Sequence, residues 1–370
     1  MNVVRKINDV TQGEVYATID RLIDNLVNIK DESGKFLLRL EDGRVIDTKG
    51  WNDWEWTHGV GLYGLLKYWQ LTGKQEPLDI AIKWFRDRLA AGTPTKNVNT
   101  VAAFLTGAYL VEVAGERPIV PYLDVWAEWI MRDMPRTTEN GLQHIVFNSE
   151  NPQQLWDDTL MMSVLPLAKI GLLLNRPAYV EEAKRQFMLH IKYLADRETG
   201  LWFHGWTFEG RHHFAKARWA RGNSWVTIAI PEFIELLDLQ PGDATREFLI
   251  ETLKAQVDAL VKYQREDGLW CTLIDDPTSY GEASAAAGFA FGILKAVRKG
   301  YIDASYLDSG LKAVKGVLAN IGEDGELHNV SFGTPVFDTL QGYKDIALTS
   351  MPYGQAMAML ALCEFSTLFI

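Results

Sequence analysis

The residues of this chain best suited to chemistry fall in six short polar or aromatic stretches. One, Trp156-Asp157-Asp158-Thr159, sets two carboxyls side by side ahead of a long apolar segment. Adjacent helical side chains point about 100° apart, so the two cannot share a task. Of the two, Asp157 better suits a helix cap. A second stretch, Arg218-Trp219-Ala220-Arg221-Gly222-Asn223-Ser224-Trp225, offers Arg221 as a planar fork for a carboxylate and Trp219 and Trp225 as stacking surfaces. A third, Trp51-Asn52-Asp53-Trp54-Glu55-Trp56-Thr57-His58, adds Trp56 and His58, and Asn97-Val98-Asn99-Thr100 adds Asn99, an amide that can orient a ligand but cannot act as acid or base. Tyr280-Gly281-Glu282-Ala283-Ser284 and Ser350-Met351-Pro352-Tyr353-Gly354 complete the set. His204, between Phe203 and Trp206, would on its own serve structure as readily as chemistry.

Several functions are disfavoured. The formal charge of −11, with no run of basic residues, argues against a nucleic-acid partner. His212 and His213 are adjacent rather than spaced for one helix face, and Cys271 and Cys363 lack metal-ligand spacing, so no metal is expected. No glycine-rich phosphate loop or nucleotide fingerprint occurs, and no cofactor is expected. The amino-terminal Met1-Asn2-Val3-Val4-Arg5-Lys6 lacks a secretory apolar core, and no stretch has the length to span a bilayer. A cytoplasmic protein without a membrane partner is the expectation. Thirteen tryptophans near loops and helix starts suit sugar rings, whose C–H faces stack on indoles, as well as core packing.

What must hold these stretches together is a repeat. A turn phrase recurs at Glu32-Ser33-Gly34, Glu139-Asn140-Gly141, Glu198-Thr199-Gly200, Glu266-Asp267-Gly268 and Glu323-Asp324-Gly325, with a weaker version at Gly92-Thr93-Pro94. Each glycine is read as the positive-φ residue of its turn. The gaps, roughly 50 to 70 residues, hold two helices each. The first is apolar nearly all round: 59–71, 101–113, 159–172, 226–237, 284–297 and 354–365. The second, seen at 77–89, 179–194, 244–263 and 304–318, is amphipathic. Helices apolar on every side are buried and those with a polar face lie outside, so the pattern predicts an all-α, (α/α)6 toroid: an inner and an outer ring forming one domain over 1–370. The loop leading into each inner helix then lies at one mouth, which gathers the six stretches.

Three phrases in order, Gln154-Leu155-Trp156-Asp157-Asp158-Thr159-Leu160-Met161-Met162, Gly200-Leu201-Trp202-Phe203-His204-Gly205-Trp206 and Trp219-Ala220-Arg221-Gly222-Asn223-Ser224-Trp225, resemble the unsaturated rhamnogalacturonyl hydrolases, glycoside hydrolase family 105. The likeness runs over nearly the whole chain and includes Glu282-Ala283-Ser284 and Gly333-Thr334. It implies an (α/α)6 enzyme of pectin breakdown that removes a Δ4,5-unsaturated uronic acid from oligosaccharides left by polysaccharide lyases. The implied reaction is hydration of an enol ether: an acid protonates C4, water adds at C5, and the hemiketal opens to free the neighbouring sugar. Asp158 matches the aspartate of the family's Trp-x-Asp phrase. A partly desolvated carboxyl with a raised pKa fits that task. The resemblance also implies that His204 and His144 contact substrate. Related unsaturated glucuronyl hydrolases carry an aspartate where this chain has Asn99, which concentrates the chemistry on Asp158.

Other readings use the same residues. An unsaturated glucuronyl hydrolase would share the mechanism. An inverting glycosidase needs two carboxyls roughly 6.5 to 9.5 Å apart, which Asp158 with Glu55 or Glu282 could supply. A sugar epimerase wants two histidines, such as His58 and His204, and a non-catalytic sugar-binding toroid makes no demand on Asp158. The leaving sugar, the uronate epimer and the oligomeric state are not written in the sequence.

Overall fold

Where the predicted inner segments run, helices form that have no polar face. In the computed structural model, which describes residues 5–40 and 43–370, all 15 residues of the last of these, Pro352–Ser366, are buried. Residues 1–4 of the amino-terminal stretch read above lie outside the described residues. In chain order the helices are α1 Gln12–Asn28, α2 Trp56–Thr72, α3 Gln75–Ala91, the short α4 Val98–Val101, α5 Ala103–Ala114, α6 Val120–Arg132, α7 Leu165–Leu173, α8 Pro177–Leu194, α9 Ala220–Leu236, α10 Ala244–Tyr263, α11 Ala283–Arg298, α12 Leu307–Ala319, the short α13 Leu340–Lys344 and α14 Pro352–Ser366. A turn of π-helix, Leu160–Val164, leads into α7.

The packing closes on itself. Helices α2, α5, α7, α9, α11 and α14 contact one another in that order, and α14 returns to α2. On this ring α3 backs α2, α6 backs α5, α8 backs α7, α10 backs α9 and α12 backs α11, while α1 covers α14. The result is the (α/α)6 toroid, and the first and last long helices of the chain are partners in it. Two outer helices, α1 and α6, lie beyond the segments named from sequence; both are amphipathic, α1 burying Val15, Ile19, Leu22, Ile23 and Leu26 on one side. Among the described residues the strands are two or three residues long and pair as four separate ribbons at loops. No described helix is long and apolar enough to cross a membrane.

The recurrent turns fasten one repeat to the next. Gly200 has φ +84°, and a Cβ there would stand 2.2 Å from the carbonyl oxygen of Ala255 in α10. Gly268 repeats the contact against Lys312 of α12, with φ +86° and the same 2.2 Å. Both the backbone twist and the close approach exclude a side chain. One turn departs from expectation: at 139–142 the left-handed residue is Asn140, φ 62°, and Gly141 is required instead by crowding, since a Cβ would lie 2.6 Å from Leu155.

Because inner helices all run away from the mouth, their carboxyl ends meet at the opposite floor, where signs alternate around the ring. Lys67 is on α2, Glu112 on α5, Lys169 on α7, Glu232 and Glu235 on α9, Lys295 and Arg298 on α11, and Glu364 on α14. Lys169 pairs with Glu112, Lys295 with Glu232 and Glu235, and Arg298 with Glu364. Lys67 reaches across to Glu232 at 2.7 Å, and the Tyr63 hydroxyl donates to the same carboxylate.

Candidate active site

At the mouth, the starts of α2, α7, α9 and α14 and the residues of α4 surround a cavity of about 200 Å³. Of the expected residues, Asp158, Asn99, His144, Trp56 and Trp219 line it, together with Glu55, Thr57, Trp156 and Met351. Two loops unforeseen in the sequence complete the wall: Val146-Phe147-Asn148, and Phe332-Gly333-Thr334-Pro335, of which only Gly333-Thr334 was singled out.

Asp158 is placed by a two-strand ribbon. Gln154–Trp156 pairs with Gly205–Thr207, and the Asp157 N–H donates to the His204 carbonyl at 3.1 Å, so the Asp-Asp pair and His204 come into register. His204 Nε2 lies 3.2 Å from Asp158 Oδ2, and its Nδ1 is 2.9 Å from the Tyr343 hydroxyl. With Tyr343 donating to Nδ1, Nε2–H is left facing Asp158, close to it but not aligned as a hydrogen bond. His204 itself is buried against Trp219, centroids 4.3 Å apart, and reaches the cavity through Asp158. On the other side His144 stacks on Trp156 at 4.2 Å, its Nδ1 2.9 Å from Thr159 Oγ1. Burial pushes the His144 ring down to about 3, so it is neutral, and burial lowers His204 as well.

The electrostatics of the Asp pair invert the sequence expectation. Burial would raise Asp158, but the His204 ring beside it prevails and holds it below the usual carboxylate range. Asp157 goes the other way. It is completely buried, and burial followed by the negative charge of Asp158 drives it well above that range. Nor does it cap a helix, for neither carboxyl oxygen accepts a hydrogen bond from a protein donor. It occupies the space left by Gly222, where a Cβ would be 2.5 Å from Asp157 Oδ2. Asp157, Asp158 and His204 bring two carboxyls and an imidazole within 4.8 Å of one another.

Three expected contacts sit behind the wall. Arg221 is fully buried and turned to the protein: Nη1 donates to the Ser331 carbonyl at 2.9 Å and Nη2 to the Phe332 carbonyl at 3.0 Å. Its fork holds the 331–334 loop, and its plane is stacked between Trp219 and Tyr353. Trp225 is buried edge-on beneath Trp56, 6.0 Å away, while Trp56 stacks on Tyr353 at 4.4 Å. His58 closes the capping box of α2, accepting from the Glu55 N–H at 3.0 Å, with Nε2 2.7 Å from the Gly50 carbonyl. An epimerase thereby loses its second histidine. Glu282 is spoken for too: it caps α11 and accepts from the Ser331 N–H at 3.0 Å.

Glu55 is the second carboxyl on the cavity. Its side chain accepts from the Trp56 N–H at 3.1 Å, but Oε1 is buried without a partner. Burial raises it to about 8, with Asp53 adding to the effect and Asn99 opposing it. It is therefore a neutral acid at neutral pH.

A toroid whose inner-helix starts gather aromatic walls around a carboxyl–imidazole pair is the architecture of a glycosidase. The chain belongs to Glycosyl Hydrolase Family 88, whose pattern it matches over residues 28–369. It is 32% identical over 316 residues to the unsaturated rhamnogalacturonyl hydrolase YesR of Bacillus subtilis (strain 168), covering 84% of this chain and 89% of that protein. Two solved structures, each described as a possible member of the GH105 family, superpose closely. The one from Salmonella enterica subsp. enterica serovar Paratyphi A has TM-score 0.98 and 58% identity, covering 100% of this chain and 98% of its own. That from Klebsiella pneumoniae subsp. pneumoniae has TM-score 0.96 and 60% identity, covering 98% and 95%.

Proposed function

We propose that this enzyme hydrates the Δ4,5 double bond of an unsaturated uronic acid at the non-reducing end of lyase-generated, pectin-type oligosaccharides, with Asp158 as the acid and base. The observation that carries the reading is the placement of Asp158: a carboxyl on the cavity wall, its inner oxygen 3.2 Å from His204 Nε2, at the matching position of the Trp-x-Asp phrase. The pectin-type substrate follows from the named activity of the Bacillus subtilis relative.

Trp56 and Trp219 give the sugar ring apolar walls, and Asn99 and His144 give it polar contacts. Arg221 acts at one remove, fixing the loop that carries Thr334, whose hydroxyl is 3.3 Å from Nη2. The protonated carboxyl adds its proton to C4 as the π electrons form the C4–H bond. Water then attacks C5 and returns a proton to the carboxylate. Two buried, unbridged cysteines support a reducing, cytoplasmic setting.

The test is to supply unsaturated rhamnogalacturonyl and glucuronyl disaccharides beside saturated counterparts, following the ultraviolet absorbance of the conjugated double bond. Loss of absorbance with release of the neighbouring sugar from the unsaturated compounds alone is expected. Comparable release from saturated uronides would transfer the chemistry to an inverting pair of Asp158 and Glu55.

A further inference from the structure

The assignment of Asp158 raises a chemical problem. The step at C4 needs a proton on that carboxyl, yet His204 favours its ionised form. A fully buried carboxylate with no donor is costly to ionise, and Asp157 is such a group: it is entirely inaccessible, and neither oxygen accepts from the protein. Asp158, on the cavity wall, has a carboxyl oxygen within 4.8 Å of one of Asp157, and two carboxyls so close resist a second negative charge and retain one proton between them.

We propose that Asp157 and Asp158 form a buried carboxyl dyad sharing a single proton, in which Asp157 is a positioning residue that keeps behind Asp158 the proton delivered to substrate. Resting on the reading of Asp158 as the acid, this deepens it. The proton lies on Asp157 in the resting pair. As it settles on Asp158, the Asp158 O–H bond breaks and the C4–H bond forms from the double-bond electrons, leaving an oxocarbenium ion at C5. Water adds there, and its proton returns to the pair. The momentary double negative charge faces a cationic sugar, and like-charge repulsion makes the pair a strong base towards the incoming water. Atoms and charge balance, with water as the one co-reactant.

The surroundings suit this. The ionisable groups facing the pair are His204 on the strand partner, His144 on the opposite loop, Arg221 at the start of α9 and Tyr343 of α13. Burial lowers both histidines and pushes Tyr343 up, so none competes for the proton. Gly222 clears the space that Asp157 fills.

The experiment is the pH profile of kcat/KM for wild type and Asp157→Asn on one unsaturated disaccharide, paired with a carbon-13 titration of the aspartate carboxyls in unliganded wild type. Without its neighbour, Asp158 loses its proton at lower pH. The basic limb of the profile should move about one pH unit or more towards acid, with about tenfold or greater loss at pH 7 and recovery at low pH. An aspartate carboxyl in wild type should remain protonated through pH 7 and be missing from the variant. A purely structural Asp157 would lower activity evenly across pH, leaving the limb in place, and that outcome overturns the proposal. So does a wild-type titration in which every aspartate is ionised at pH 7. The titration decides the matter should Asp157→Asn fail to fold. It also separates the two claims, because a wild type inactive on every unsaturated disaccharide removes the substrate reading while the titration still tests the dyad.

Discussion

The two ends of the inner ring bury carboxyls to the same depth and treat them in opposite ways. At the floor, Glu232 is buried but meets Lys295, Lys67 and the Tyr63 hydroxyl; the two lysines outweigh burial and keep it far below the usual carboxylate range. At the mouth, Glu55 and Asp157 are as deeply buried with no cation against them, and burial drives both upward. Burial alone does not set protonation; the partner does. The floor is thus arranged for stability and the mouth holds protons, which is where a hydration chemistry needs them.

The contrast can be broken most severely from the floor. Glu232→Ala strands Lys67 and leaves Lys295 with Glu235 alone, and unfolding should become easier by about 3 to 5 kcal/mol, read by denaturant titration. Next comes Asp158→Asn, which keeps shape but removes the transferable proton. It should lower kcat by about 10²-fold or more while substrate binding survives, measured by steady-state kinetics and calorimetry. A fall of only a fewfold would remove Asp158 from the chemistry. Arg221→Lys exchanges a fork for a point charge under the 331–334 loop, so KM should rise about tenfold with little change in kcat.

Glu55→Gln sharpens the comparison through pH. The folded state holds a proton on Glu55 that the unfolded chain releases above its ordinary range near 4.5, so wild-type stability should decline as pH rises from there to about 8 and then level off. The variant lacks that decline, and its melting temperature relative to wild type should climb across the same window. An unchanged difference at pH 5 and pH 9 would place an ionised Glu55 at the mouth. The smallest effect belongs to Lys299→Ala. Its pair with Glu235 is about a third exposed on both sides, and loss should cost about 1 kcal/mol or less.

How much of this could be read from the chain depends on the range of the interactions. The inner helices were legible because their apolar character on all sides is local, and Asp158 and His204 stood out in contiguous phrases. Asp157 was not, since nothing in Trp156-Asp157-Asp158 says which carboxyl faces His204 and which meets Gly222, 65 positions further on. Arg221 was misdirected for the same reason: its carbonyl partners, Ser331 and Phe332, are over a hundred residues away. The alternating floor charges, by contrast, lay open in the sequence, one sign to each carboxyl-terminal half of an inner segment.

That alternation has a counting consequence. Signs can alternate around a closed circle only when the number of members is even. Positive α2, α7 and α11 interleave with negative α5, α9 and α14 without a clash in a ring of six. A ring that closed one hairpin short, or took up one from a second copy, would make neighbours of two like-charged helix ends. An even ring is thus the one in which every floor charge can have neighbours of opposite sign on both sides.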